Sequence, residues 1–322
     1  MLIFNPAHNS DNTCMYCNIP SAKIIRYSNF KHYWFRCVSC GTMWRKNKNK
    51  LPGERFLSVI EKIPIVSKIA RRIFPSYLKR QDFEMHMYET YGKAFYRIMD
   101  ATPGDEIFEV KRKRYLNEAN ELIQLFSKNK IDISQKVLLD VSGGPGTFAY
   151  FIKDKVGSIT VTEYGHQTVA AMKEYLSGIK LMQADINEPW PGNHKYDVVL
   201  YRSCLYFCFD FRKHLKDIKK NLTPGALVYI CTTAPSLGNS LRWQFEDYTH
   251  NVLYSETVVF EILKTEGFSI IENGITDFYT HFLNHYTFRD RIFHRWGIWN
   301  VFKKNAPKGL DARAFWVLAK KN

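Results

Sequence analysis

The side chains best suited by type and spacing to do chemistry fall into two groups: a glycine turn flanked by acids, and paired cysteines. The turn is Asp140-Val141-Ser142-Gly143-Gly144-Pro145-Gly146, which follows an apolar stretch and runs into an amphipathic one. Glycines between a strand and a helix let the backbone close tightly on a ligand. Glu163 comes 23 residues after Asp140, where a carboxylate can accept hydrogen bonds from a ribose diol. Asp185, in Ala184-Asp185-Ile186, ends a third apolar stretch. Three strand-end acids on consecutive strands, with glycines after the first, make a crevice that would hold a nucleoside. Gly144-x-Gly146-x-x-Ala149 also satisfies the dinucleotide fingerprint, so the spacing leaves a dinucleotide open as the alternative ligand.

The second group is Cys14-x2-Cys17 and Cys37-x2-Cys40, separated by 19 residues. Tetrahedral Zn2+ with four thiolates needs two tight pairs brought together by an intervening hairpin, and the spacing supplies that. Four protein ligands would make the site closed and structural. The other cysteines, Cys204, Cys208 and Cys231, lie in apolar stretches. The total of seven is odd, and the opening MLIFNPAHNSDNT turns polar too soon for a signal-peptide core, so no disulfide framework is expected.

Positioning these groups requires a sheet. From residue 134 the texture is apolar strands alternating with amphipathic helices, the pattern of a doubly wound α/β fold. Strands are expected at 136–142, 158–164, 179–186, 196–203, 226–234, 268–275 and 312–320, with helices at 146–155, 166–177, 211–221 and 256–265. Asn221-Leu222-Thr223-Pro224-Gly225 reads as a helix stop and turn before the fifth strand. Ahead of the sheet, residues 55–128 carry helical periodicity broken at Pro64 and Pro75. The expected organisation is a zinc-binding module at 1–50, a helical linker or cap at 51–133 and the α/β domain at 134–322.

Composition sets bounds on partners. The chain has 322 residues, with 46 Lys and Arg against 31 Asp and Glu, and 45% hydrophobic residues, which excludes disorder as its overall state. No apolar run reaches the ~18 to 20 residues a membrane span needs, so a cytoplasmic protein is expected. Of the net +15, residues 1–80 carry +12, from 15 basic and 3 acidic side chains. The basic, apolar-striped segment 55–80 suits peripheral contact with an anionic inner membrane surface, or packing as a cap over the sheet. Basic side chains beside Tyr33, Trp34, Phe35 and Trp44 also suit nucleic acid, unless those rings form the small module's own core.

The turn DVSGGPG resembles the first motif of class I S-adenosylmethionine-dependent methyltransferases, acid-x-Gly-x-Gly-x-Gly, with Ser142 in the first glycine position. The resemblance covers about residues 134–322 and implies a Rossmann-like sheet ending in a sixth strand and an antiparallel seventh. It implies that Gly143, Gly144 and Gly146 pass under the methionine part of the cofactor and that Asp140 orients the turn and the amino group. Glu163 would hold the ribose hydroxyls, Asp185 and Ile186 would border the adenine, and Arg202 would join them from the end of the fourth strand. A four-cysteine module ahead of such a domain resembles bacterial sugar and polysaccharide methyltransferases. The other arrangement it is similar to, zinc-ribbon ribosomal RNA methyltransferases, usually has a shorter spacing and a His ligand.

For the acceptor, the resemblance implies a saccharide or nucleotide sugar, methylated at oxygen. No Asn-Pro-Pro-Tyr tetrad follows the fourth strand, as amino-methylating enzymes would carry there. Methyl transfer to a hydroxyl needs alignment and a base. The candidates are Tyr206, just after the fourth strand, and His250, in the long connection after the fifth.

Overall fold

The computed structural model describes Tyr16 and residues 24–29, 32–37, 39–40, 42–45, 106–233, 252–277 and 313–322. Three strands come first: β1 (Ile24–Asn29), β2 (His32–Cys37) and β3 (Met43–Arg45). Helix α1 (Glu106–Lys128) leads into β4 (Val137–Val141), α2 (Thr147–Ile152), β5 (Ser158–Glu163), α3 (His166–Tyr175) and β6 (Lys180–Gln183). There follow β7 (Tyr196–Arg202), α4 (Phe211–Ile218), β8 (Leu222–Thr233), β9 (Val252–Leu253), α5 (Glu256–Thr265), β10 (Phe268–Asp277) and β11 (Arg313–Lys321).

Seven strands form one sheet in the order β10-β11-β8-β7-β4-β5-β6. Strands β4 to β8 run parallel, as the alternation of strands and helices predicts, and β11 is inserted antiparallel between β8 and β10, as the resemblance implies. Continuous apolar runs such as Val137-Leu138-Leu139 and Val198-Val199-Leu200 suit these central strands, because helices cover both faces. On one face Ala119, Leu122 and Phe126 of α1 share a core with Leu138, Phe148 and Ile152. On the other, Phe211, Leu215 and Ile218 of α4 and Val259 and Ile262 of α5 pack with Val199 and Tyr201. Helix α1 lies within the segment read as linker or cap, yet its apolar stripe packs against the sheet. Among the described residues no helix is long and apolar enough to cross a membrane.

Several boundaries differ from the sequence reading for local reasons. The turn expected at Leu222–Gly225 is instead the first part of β8: Leu222 pairs with Tyr196, and the register then slips so that Leu227 pairs with Val198. Gly225, at φ +69°, absorbs the extra residues, and the Thr223 hydroxyl donates to the Tyr196 carbonyl and to Asp197. Strand β6 stops at Gln183, short of 186, because the Asp185 side chain turns back to accept from the Asn187 backbone N–H at 2.9 Å. The helices expected to reach 155 and 221 tighten into 3-10 turns over their last three residues. Helix α5 falls at 256–265 as expected, capped by the Ser255 hydroxyl, which accepts from Val258 N.

The N-terminal strands make a separate antiparallel sheet in the order β1-β2-β3-β9. β1 and β2 form a hairpin whose last pair is Asn29 and His32. Its fourth strand, β9, comes from the far half of the chain, Met43 pairing with Leu253 and Trp44 with Val252. Residues 51–105, including the basic segment 55–80, lie outside the described residues.

Candidate functional site

The carboxyl ends of β4, β5 and β6, adjacent in the sheet, bring Asp140, Glu163 and Asp185 to one edge. The glycine turn sits between the first two. Ser142 N donates to the Thr162 hydroxyl and Gly143 N to the Thr162 carbonyl, both at 3.0 Å, which ties the turn to β5. Three of its residues, Ser142, Gly144 and Gly146, have positive φ of 51°, 60° and 74°. For Ser142 this is the left-handed region that favours glycine. At Gly146 a side chain is also excluded by space, since a Cβ would lie 2.3 Å from Leu176 Cδ1 of the segment closing α3. At Gly143 a Cβ would lie 2.6 Å from an Asp140 carboxylate oxygen, so that acid forms the floor of the turn.

Glu163 is 3% exposed, and its two oxygens accept from Gly144 N at 3.1 Å and Tyr164 N at 2.8 Å. Burial pushes its carboxyl up to about 7, outweighing the two N–H donors, and the nearby Asp140 adds to the rise. Asp185 is half-buried. Its Oδ1 accepts from Asn187 N and Nδ2, while Oδ2 has no partner among the described residues. Ile186, beside it, is 6% exposed and belongs to the sheet's core.

Arg202, at the end of β7, lies next to Asp140 across the pair β4 and β7. Its Nε and Nη2 donate to the two Asp140 oxygens at 3.2 and 2.9 Å, a bidentate pair. The guanidinium stacks 3.6 Å from the centre of the Phe148 ring and directs Nη1 to Glu118 at 2.7 Å. Burial pushes the Asp140 carboxyl up against the pull of Arg202, while those carboxylates raise the Arg202 pKa and keep it charged. Burial also pushes the Cys204, Cys208 and Cys231 thiols up, the last to about 12, so they are protonated packing groups.

Tyr206 follows β7 in a short turn and is 8% exposed, packed against Met43 and Leu253 with its ring 4.6 Å from Phe207. This turn is therefore where the N-terminal strands meet the sheet. Ser255, the α5 cap, donates to the Cys40 carbonyl and lies beside Thr42, and Tyr16 stacks edge-on against Tyr254 at 5.5 Å. The Tyr254 hydroxyl in turn accepts from Phe211 N and donates to the Cys208 carbonyl. Cys37 and Cys40 are buried on one tight turn, with Cys37 N donating to the Thr42 carbonyl at 3.0 Å. Cys14, Cys17 and His250 lie outside the described residues, and among the described residues no three acidic, His or Cys side chains gather as a metal centre.

Two side chains at the site were not singled out by the sequence reading. Glu118 reaches Arg202 from α1, and its only local signal is Arg114 one turn earlier, which donates to it at 2.7 Å. Asn187 donates from Nδ2 to Asp185 and to the Phe207 carbonyl and accepts from Phe209 N, so it braces the loop after β6 against the turn after β7. Its signal was its place two residues after a strand-end acid.

What these residues make together is a crevice over the carboxyl ends of parallel strands, lined by acids and a glycine turn. It suits a polar, cationic, hydroxyl-bearing ligand. A family model described as "Methyltransferase domain" matches residues 108–273. No match to a curated protein was found. Among solved structures the chain is similar to magnesium protoporphyrin IX methyltransferase (ChlM) from Synechocystis PCC 6803 with bound SAH. Identity there is 13%, the match covers 80% of this chain and 100% of that one, and the TM-score is 0.49. It is also similar to the YcgJ protein from Bacillus subtilis, at 13% identity, over 63% of this chain and 99% of that one, with a TM-score of 0.45.

Proposed function

The chain belongs to the methyltransferase-domain family and is an S-adenosylmethionine-dependent methyltransferase; on that premise we propose that it methylates a hydroxyl of a saccharide, either a nucleotide sugar or a cell-surface glycan. The observation that carries the acceptor reading is the pair of two-cysteine knuckles, 19 residues apart, ahead of the methyltransferase segment. In this reading Cys14, Cys17, Cys37 and Cys40 hold a structural Zn2+.

The cofactor supplies a methyl group on a sulfonium, and the chain's task is to bind and orient it. Glu163 accepts from the ribose hydroxyls, and the backbone of Gly143, Gly144 and Gly146 passes beneath the methionine part. Asp185 and Ile186 border the adenine. Asp140, held by Arg202, keeps the glycine turn in its left-handed geometry. Transfer to the acceptor is an in-line displacement, so alignment carries most of the rate, and the acceptor's proton leaves to a base. His250 and Tyr206 are the side chains proposed for that acceptor end.

The test is methyl transfer from labelled S-adenosylmethionine to a cell extract separated into RNA, lipid-linked glycan, nucleotide-sugar and protein fractions. Label in a glycan or sugar fraction supports the proposal, and label confined to protein refutes it. A second reading, RNA methylation docked through the N-terminal quarter, is favoured by the +12 charge of residues 1–80. It predicts label in RNA and an affinity for bulk RNA that falls steeply with salt.

A further inference from the structure

A line of alternating charge enters the cleft from outside the strand-end loops. Glu118, in the middle of α1, accepts from Arg114 Nε at Oε1 and from Arg202 Nη1 at Oε2, both at 2.7 Å. Arg202 continues the line to Asp140, whose side chain is fully buried. The Arg202 side chain is 8% exposed and that of Glu118 23%, so water screens these charges poorly. Burial opposes the charge on Glu118, yet Arg114 and Arg202 hold its carboxyl below the usual range, so it is an anion at neutral pH. Tyr115, Tyr229 and Cys231 surround the group and stay uncharged there, since burial raises all three.

Asp140 alone would balance Arg202. The second carboxylate is balanced in turn by Arg114, so the four charges sum to zero; of that outer pair it is the anion, Glu118, that touches Arg202 and so lies nearer the end of β7. S-Adenosylmethionine and its product S-adenosylhomocysteine differ by one methyl and one positive charge at sulfur. Resting on the reading that this cleft takes S-adenosylmethionine, we infer that Glu118 is a positioning residue: through Arg202 it sets the cleft's potential so that the cationic cofactor is favoured over its uncharged-sulfur product. Exchange of product for fresh cofactor then depends on a side chain that touches neither.

The experiment is calorimetric titration of the full chain with each of the two ligands, comparing Glu118→Gln with wild type. Gln keeps an oxygen for Arg202 but removes the charge. Taking a separation of about 10 Å between the lost charge and the sulfur, and an effective dielectric of about 20 to 40, the ratio Kd(S-adenosylmethionine)/Kd(S-adenosylhomocysteine) should rise about four- to fifteenfold. Arg114→Gln removes the opposite charge and should lower the ratio, whereas a purely structural role would not reverse its sign between the two variants. Glu272→Gln breaks an ion pair with Lys128 at the outer edge and should leave the ratio unchanged. An unaltered ratio in Glu118→Gln overturns the inference. If that variant does not fold, an unaltered or raised ratio in Arg114→Gln overturns it instead. Should wild type bind neither ligand, the cofactor reading itself fails, which is a distinct result.

Discussion

Lowering the pH from about 8 to about 6 should weaken S-adenosylmethionine binding roughly tenfold, and Glu163→Gln should remove that dependence. Glu163 is buried with its carboxyl pushed up to about 7, and only the anion offers both oxygens as acceptors to a ribose diol. If binding requires the ionised form, affinity follows its fraction, roughly nine-tenths at pH 8 and one-tenth at pH 6, a loss of about 1.3 kcal/mol. The sign for stability is the reverse. The folded-state value lies above the ordinary 4.5, so the ligand-free fold holds its proton more tightly than the unfolded chain. The contribution of Glu163 to stability is therefore fully present below about 4.5 and is lost as pH rises towards 7, by on the order of 3 kcal/mol. Calorimetric titration across this range, with Glu163→Gln as the reference that subtracts the ligand's own titration, measures the binding effect. A wild-type affinity that is flat between pH 6 and 8, or a Gln variant that falls as steeply, would refute the placement of the ribose on Glu163.

Three further outcomes are expected. Ser142 sits at φ +51°, so Ser142→Gly should stabilise the chain by about 1 kcal/mol in urea unfolding without weakening the cofactor. Asn187→Ala breaks three hydrogen bonds, one to Asp185 within the loop after β6 and two to the turn after β7, at Phe207 and Phe209. It should cost about 2 kcal/mol of stability and loosen cofactor binding, read by thermal unfolding with and without ligand. Cys37→Ser should release the zinc proposed for the four cysteines, measured by metal analysis, and lower a single melting transition of the whole chain, because β3 pairs with β9 and Ser255 binds the Cys40 carbonyl. Two separated transitions would show that the N-terminal strands fold independently.

The seven strands of the large sheet and the span of α5 were legible in the sequence, because apolar period, caps and turn residues act within about ten positions; the antiparallel insertion of the last strand was expected only from the resemblance to class I methyltransferases. The acids that line the crevice were legible for the same reason: a strand's carboxyl end is a local feature, and β4, β5 and β6 place three such ends side by side. Pro224 and Gly225 misled, since the same residues that make a turn also make a bulge, and only pairing with Tyr196 decides between them. Tertiary structure alone brought Glu118 to Arg202 across 84 positions and Thr42 to Ser255 across 213. It also buried Tyr206 between Met43 and Leu253. Residue types and their local spacing state what chemistry a chain can hold. Which charge meets which, and how far burial shifts it, depends on segments distant in sequence packing together and excluding water, and no local pattern carries that information.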